Sequence, residues 1–212
     1  MASIIRHYKR GRHPKGFWGR RTLISMNGKK HAALPEWVFS ELSLPEDIRI
    51  LDVGCGGGAN IERMLKLYPG SRATGLDISA LALEMTTDKN YHAVVDGDCT
   101  VMGGNAVQMP IAKCVIDVAT AFEAIYYWLS IDSGFAEIYR VLKPGGIVVV
   151  ANELDGLDPN DDPMSKAVGG MRIYTPDEIK QSLIDVGFTN IHVRQDEQRH
   201  FVCVTATKPE QD

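Results

Sequence analysis

The residues best suited to chemistry begin at Asp52, inside the stretch Arg49–Asn60 that reads R-I-L-D-V-G-C-G-G-G-A-N. Gly54, Gly56, Gly57 and Gly58 follow that acid. Glycine admits positive φ and lacks the Cβ that would hold a ligand away from the backbone. A second acid, Asp77, closes the segment Thr74-Gly75-Leu76-Asp77. A carboxylate about 20 residues beyond such a loop is placed to accept hydrogen bonds from ribose hydroxyls. Loop and acid together suit a ribose-bearing ligand with an electronegative part.

These groups need elements to position them. Ile48, Ile50, Leu51 and Val53 form a short apolar run, which predicts a buried parallel strand. From Ala59 to Leu67 the pattern turns helical, with Ile61, Met64, Leu65 and Leu67 on one side. The first N–H groups of that helix would face an electronegative ligand. Gly54-x-Gly56-x-x-Ala59 also satisfies the dinucleotide fingerprint. On these residues alone NAD and S-adenosylmethionine both stay open, since each presents a ribose.

Four motifs in order narrow the choice: L-D-V-G-C-G-G-G-A-N, G-L-D-I-S, G-N-A-V-Q-M-P and L-K-P-G-G. Over roughly residues 36 to 207 the sequence resembles class I S-adenosylmethionine-dependent methyltransferases. It is most similar to the small-molecule group that includes the ubiquinone/menaquinone-biosynthesis enzymes. The resemblance implies an α/β fold with a Rossmann-like, doubly wound seven-stranded sheet, mostly parallel with an antiparallel last strand. It implies S-adenosylmethionine as cofactor, with the backbone of Gly54, Cys55 and Gly56 at the methionine end and Asp52 reaching its amino group directly or through water. Asp77 would take the ribose hydroxyls, Ile78 would pack on adenine, and Asn105 with the Ala106 N–H would read the adenine edge. Asn60 and Phe122 complete the expected cofactor contacts. Relatives carry an acid where Asn105 stands, and an amide oxygen can still accept that hydrogen bond.

The stretch Phe122 to Trp128 follows a central strand, on the side where open α/β sheets bind ligands. The resemblance places the methionine half and the acceptor there, so Glu123, Tyr126 and Tyr127 are the catalytic candidates. Relatives often have histidine at the two tyrosine positions. Trp128 and Glu153 are expected on the substrate side. Residues 1–30 read as a basic arm and 31–212 as the methyltransferase domain. Gly11, Pro14, Gly16 and Gly19 argue against a long helix in the arm. Trp18 and Arg20 are expected to face the pocket as part of a lid.

The remaining elements follow from local patterns. Helices are predicted over His31–Leu42, from Ser79 to about Ala93, over Ser133–Leu142, and from Thr175 to Gly187 behind a capping box. Strands are predicted over Cys99–Met102, Cys114–Ala121 and Ile147–Asn152, with a final hairpin of Asn190–Val193 and Phe201–Ala206. Lys143–Gly146 reads as a turn and Asp155–Pro163 as an acidic loop.

Composition sets the outer bounds. The 212 residues fit one domain. The longest strongly apolar run, Ile147 to Ala151, is far short of a bilayer span. The N-terminus lacks the apolar stretch of a signal peptide, so a cytoplasmic protein is expected. Cys55, Cys99, Cys114 and Cys203 form no C-x-x-C pair, which points to reduced thiols and no metal site. Before Glu36 stand nine Lys or Arg and no acid; the remainder carries 14 bases against 27 acids.

Methyl transfer from a sulfonium is an in-line displacement on an activated donor. The protein must align the reactants and exclude water, and no metal is needed. A small-molecule acceptor is the expected partner. An RNA methyltransferase using the basic arm is one alternative, although no RNA-binding module is recognisable and nucleic acid is disfavoured. An NAD-dependent oxidoreductase is the other, and it leaves G-N-A, L-K-P-G-G and the closing hairpin unexplained. A domain that binds the cofactor without catalysis is the third.

Overall fold

The structure, a computed structural model, describes residues 5, 6, 8, 9, 14–26, 28 and 31–210. Of the arm's basic residues, Arg10, Arg12, Lys29 and Lys30 lie outside the described residues. The described chain runs α1 (Gly16–Met26), α2 (Ala33–Phe39), β1 (Arg49–Val53), α3 (Ala59–Leu67), β2 (Arg72–Asp77), α4 (Ala80–Lys89), α5 (Tyr91–Asp96), β3 (Cys99–Gly103) and β4 (Ile116–Phe122). A 3-10 turn (Ile125–Tyr127) leads to α6 (Ile131–Val141), β5 (Leu142–Asn152), α7 (Asp161–Val168), α8 (Pro176–Val186), β6 (Thr189–Asp196) and β7 (Phe201–Thr207).

The seven strands order as β3-β2-β1-β4-β5-β7-β6. β7 runs antiparallel to both neighbours, and the other pairings are parallel. The expected doubly wound sheet with an antiparallel last strand is what forms. The order reverses between β1 and β4, and at such a switch point the flanking loops part to leave a crevice.

Two apolar layers sandwich the sheet, because alternate residues of each strand face opposite sides. Leu51, Val53, Val148 and Val150 pack with Phe135 and Ile138 of α6 and Ile179 and Leu183 of α8. Ile50, Val149 and Ala151 pack the other way, with Leu34 of α2 and Ile61 and Met64 of α3. A parallel sheet covered on both faces accounts for the continuous apolar runs that predicted β1 and β5.

Several local expectations are corrected. The arm contains an eleven-residue helix, α1. A Cβ on Gly19 would come within 2.7 Å of the Pro14 backbone, so this glycine permits the chain to double back and does not break the helix. α2 is shorter than predicted, with Pro35 in its first turn. The helix from Ser79 ends at Lys89 and a separate short helix follows. The buried Asn90 amide causes the break by donating to the Thr86 and Gly58 carbonyls, at 3.0 and 3.1 Å. α6 starts two residues before the predicted Ser133, with Ser130 as its cap.

Lys143–Gly146 is not a turn but the start of β5, with a register shift where it pairs with β4. Gly145 there has φ +75° and its N–H donates to the Lys208 carbonyl at 2.9 Å, tying the irregular stretch to the chain after β7. The acidic loop gives way at Asp161 to α7, where the Asp161 carboxylate accepts the Gly156 N–H at 2.9 Å. The Thr175 capping box and the αL stop at Gly187 form as expected. Among the described residues no helix is long and apolar enough to cross a membrane.

Candidate active site at the carboxyl ends of β1, β2 and β4

The loop after β1 is shaped by three left-handed glycines, Gly54 (φ +82°), Gly56 (+55°) and Gly58 (+78°). A Cβ on Gly54 would sit 2.7 Å from the Ala124 Cβ, so the loop lies directly against the chain leaving β4. The Gly54 and Cys55 N–H groups both donate to the Leu76 carbonyl, at 2.7 and 3.1 Å. The Gly56 N–H donates to Asp77 Oδ2 at 3.0 Å. These three donors, expected to face a ligand, are therefore engaged within the protein. What the loop offers is its bare Cα atoms: a Cβ on Gly56 would meet only Leu23 Cδ2, at 3.8 Å across open space.

Asp77, at the end of β2, accepts the Ser79 N–H on its other oxygen, at 2.8 Å. Each carboxylate oxygen thus accepts a backbone donor, and the residue lines the adjoining cavity. Ser79 caps α4 through Ala82 N–H and donates its hydroxyl to the Pro14 carbonyl at 3.1 Å, fastening the arm beside the acid.

Asp52 does not join this group. It is 2% exposed, lines neither cavity described below, and accepts from Thr120 Oγ1 on β4 at 2.8 Å. Its side chain turns across to the adjacent strand, so any reach to a bound amino group would run through water. Burial pushes its carboxyl up to about 7, against a smaller opposing pull from Thr120. The folded state thus binds this proton more tightly than the unfolded chain, whose carboxyl titrates near 4. The resulting loss of stability grows as pH rises from about 4 to about 7 and then levels off. Asp52→Asn should therefore be more stable than the parent at pH 8, with the difference shrinking toward pH 4. Urea denaturation at the two pH values checks the sign.

Two cavities share Leu23, Gly54, Gly56, Phe122 and Glu123. The larger, about 560 Å³, is lined by Asp77, Ile78, Asn105 and Ala106 at one end and by Tyr126, Tyr127 and Trp128 at the other. Pro14, Leu23, Met171 and Tyr174 cover it. Ile78 is 56% exposed, the state of a side chain with one face on an open cavity. Asn105 is turned inward to its own loop, accepting the Val107 N–H at 3.1 Å. The smaller cavity, about 90 Å³, is lined by Cys55, Asn60, Arg63, His31, Tyr8 and Glu153 among others. Arg63 Nη1 donates to Asn60 Oδ1 at 2.9 Å. Cys55 is buried with its Sγ 3.5 Å from Thr86 Oγ1, and burial pushes its thiol well above the ordinary range.

Glu123 stands where the cavities meet. Its φ is +55°, a left-handed conformation that costs energy for a residue with a Cβ and tends to be kept at functional sites. Its carboxylate accepts from the Tyr126 hydroxyl at 3.1 Å and from the Glu153 N–H. Burial, and then the Glu153 carboxylate, push Glu123 up to about 8. Tyr126 is itself pinned, its oxygen accepting the Leu154 N–H at 2.9 Å. His31 Nδ1 lies 3.1 Å from Glu153, and the Tyr127 hydroxyl donates to the Tyr8 carbonyl at 3.1 Å.

The structure thus brings Glu123, Tyr126, Tyr127, Trp128 and Phe122 to one cavity and Glu153 to its neighbour. Trp18 and Arg20, expected to face the pocket, line neither cavity. Trp18 is 57% exposed and Arg20 is paired with Glu84 on α4. Among the described residues, those of the arm that line the cavities are Tyr8, Pro14, Leu23 and Gly28. His31, Tyr8 and the Met171–Tyr174 segment had no motif to announce them.

A family model described as a methyltransferase domain matches residues 51–150. The rice (Oryza sativa subsp. japonica) protein 24-methylenesterol C-methyltransferase 2 is 35% identical over 101 residues, covering 48% of this chain. The chain spans only 28% of that enzyme's length. The uncharacterized methyltransferase YdaC of Bacillus subtilis is 25% identical over 180 residues, covering 85% of this chain and 94% of its own. Among solved structures, geranyl diphosphate C-methyltransferase from Streptomyces coelicolor A3(2) superposes with a TM-score of 0.74 at 17% identity. That match covers 92% of this chain and 87% of that one, a likeness of fold.

Proposed function

The chain belongs to the methyltransferase domain family over residues 51–150, and from that premise we propose that it transfers a methyl group from S-adenosylmethionine to a small-molecule acceptor. The observation that carries this reading is the placement of Asp77 and Glu123 at opposite ends of one cavity, joined by the bare glycine loop. The cavity fits the cofactor's parts. Asp77 lines the cavity at the end of β2 where it can accept from ribose hydroxyls, Ile78 offers an apolar face to adenine, and Ala106 and Asn105 close that end. Gly56 leaves room for the chain beyond the ribose, and Arg63 with Asn60 supplies a cation and an amide to the amino-acid end. S-adenosylmethionine supplies an electrophilic methyl group already activated by the sulfonium.

The protein's own contribution is alignment, dryness and proton management. Tyr126, Tyr127 and Trp128 wall the acceptor side, and Glu123 is placed to take a proton from the acceptor. The arm up to Met26 acts as the lid, since Pro14 and Leu23 roof the larger cavity and Tyr8 borders the smaller. The region from residue 31 onward is the methyltransferase domain itself. We place the protein in the cytoplasm, without a nucleic-acid partner.

Titration calorimetry with S-adenosylmethionine, S-adenosylhomocysteine and NADH tests the reading. Micromolar binding of the first two without NADH is expected. Binding of NADH alone would recast Asp77 as the ligand of a dinucleotide ribose.

A further inference from the structure

We propose that the outward face of α1 docks the protein on an anionic lipid surface, with Phe17, Trp18 and Ile24 entering the headgroup layer and Arg21 held among its phosphates.

The helix wears its large apolar groups on the outside. At about 100° per residue, positions 17, 21 and 24 share one stripe, and positions 18 and 25 lie beside it. In α1 these are Phe17, Arg21, Ile24, Trp18 and Ser25, and all five are exposed. Phe17 is 66% exposed and Ile24 56%, beside the 57% of Trp18. The opposite stripe, Gly19, Thr22 and Leu23, is buried. Thr22 settles there by donating its hydroxyl to the Trp18 carbonyl at 3.0 Å. A helix that served only its own domain would turn its rings inward. Single exposed apolar residues are ordinary, but these form one patch. The Phe17 and Trp18 rings meet edge-on at 5.4 Å, and the Arg21 guanidinium lies 5.9 Å from each ring centre.

Charge selects the occupant. Before Glu36 the chain holds nine lysines and arginines and no acid, against 14 bases and 27 acids after that point. Lys15 stands exposed just before the helix. On the flank toward α4, Arg20 pairs with Glu84 and lies 4.0 Å from Asp88, so a base of the arm answers those acids. The outer face therefore presents a cation set among two rings and an aliphatic side chain. An anionic bilayer supplies both complements at once, phosphates for the arm and an apolar layer for the rings. Arginine can lay its stem along apolar groups while its head reaches a phosphate. A second copy of the chain would bring two basic arms together. A nucleic-acid strand would match the charge and could stack on the rings, but it offers no apolar layer to Ile24.

The inward face of the same helix carries Leu23, which lines both cavities. Docking therefore leaves one helix, about 10 Å across, between the bilayer and the cavities. It needs nothing from the reaction beneath, so methyl transfer and docking can each fail alone.

The test uses the full chain with vesicles of phosphatidylcholine, either alone or with about one-third phosphatidylglycerol. Cosedimentation should be at least tenfold tighter on the mixed vesicles and should weaken as salt screens the charges. Tryptophan emission should shift to the blue on those vesicles, and Trp18→Phe should remove the shift while binding persists. Phe17→Ser combined with Ile24→Ser should weaken binding at least tenfold, through lost apolar burial. Arg21→Glu should do the same, since each unit of charge near an anionic surface counts roughly fivefold. All these side chains are exposed, so thermal midpoints should stay close to the parent's. Trp18→Phe keeps a ring in place and locates the contact even if the double variant is unstable. No binding to either vesicle, equal binding to both, or binding that the double variant and Arg21→Glu both retain overturns the proposal. A dimer that the double variant dissolves would assign the face to a second copy and overturn it. Tighter binding to a single-stranded RNA than to the mixed vesicles would assign the arm to nucleic acid and overturn it as well.

Discussion

Asp77→Ala should weaken S-adenosylmethionine binding by about a hundredfold or more while leaving a folded protein. Hydrogen bonds to a charged acceptor contribute ~1.5–3 kcal/mol each, and in the proposed function two ribose hydroxyls share this carboxylate. A loss of about 3 kcal/mol in binding is a little over a hundredfold in Kd. A second effect adds to it. Asp77 holds the N–H groups of Gly56 and Ser79, so removing it frees both the glycine loop and the cap of α4. Asp77→Asn separates the two contributions, because its single carbonyl oxygen can keep one of those donors. Calorimetric Kd values for both variants, beside their thermal midpoints, make the comparison. An Asp77→Ala protein binding within threefold of the parent would remove Asp77 from the cofactor site.

How much of this was legible beforehand depended on the range of the interaction. β1, the glycine loop and α3 were readable because strand, positive φ and helix are dictated by adjacent residues. The caps at Ser79 and Thr175 were readable for the same reason. The partner of Asp52 was not legible, because a position before the glycines says nothing about which neighbour a buried carboxylate will find. Thr120, 68 residues away, decides it. The surroundings of Trp18 and Arg20 were hidden by the same limit. Large and charged groups in an arm look purposeful, yet Arg20 finds Glu84 and the small cavity-facing surface goes to Pro14 and Leu23. The His31–Glu153 contact joins residues 122 apart and left no local trace. L-K-P-G-G read as a turn because proline and glycine usually make one. Pairing of Gly145 and Gly146 with Lys208 keeps it in the sheet.

Glu123→Gln should lower kcat by roughly a thousandfold and leave the Kd for S-adenosylmethionine within about threefold, as expected for loss of a positioned base. Glutamine preserves the side chain's shape, so the hydrogen bonds from Tyr126 and the Glu153 N–H can persist on its carbonyl oxygen. The pH dependence discriminates further. The parent carboxyl is held up to about 8 by burial first and Glu153 second, so it is largely protonated in the ligand-free protein at neutral pH. A bound cation opposes both causes and moves the group back toward ionisation. The base form increases with pH, so kcat/KM of the parent should climb about tenfold per unit below the controlling pKa. In the glutamine variant that rise should be absent, because the titrating group is gone. A purely structural role would lower the thermal midpoint and leave the slope in place. An unchanged pH slope together with a large loss of cofactor affinity would instead make Glu123 a ligand of the cofactor's own ammonium. The base would then have to be sought at Glu153, whose carboxylate already meets His31 across the smaller cavity.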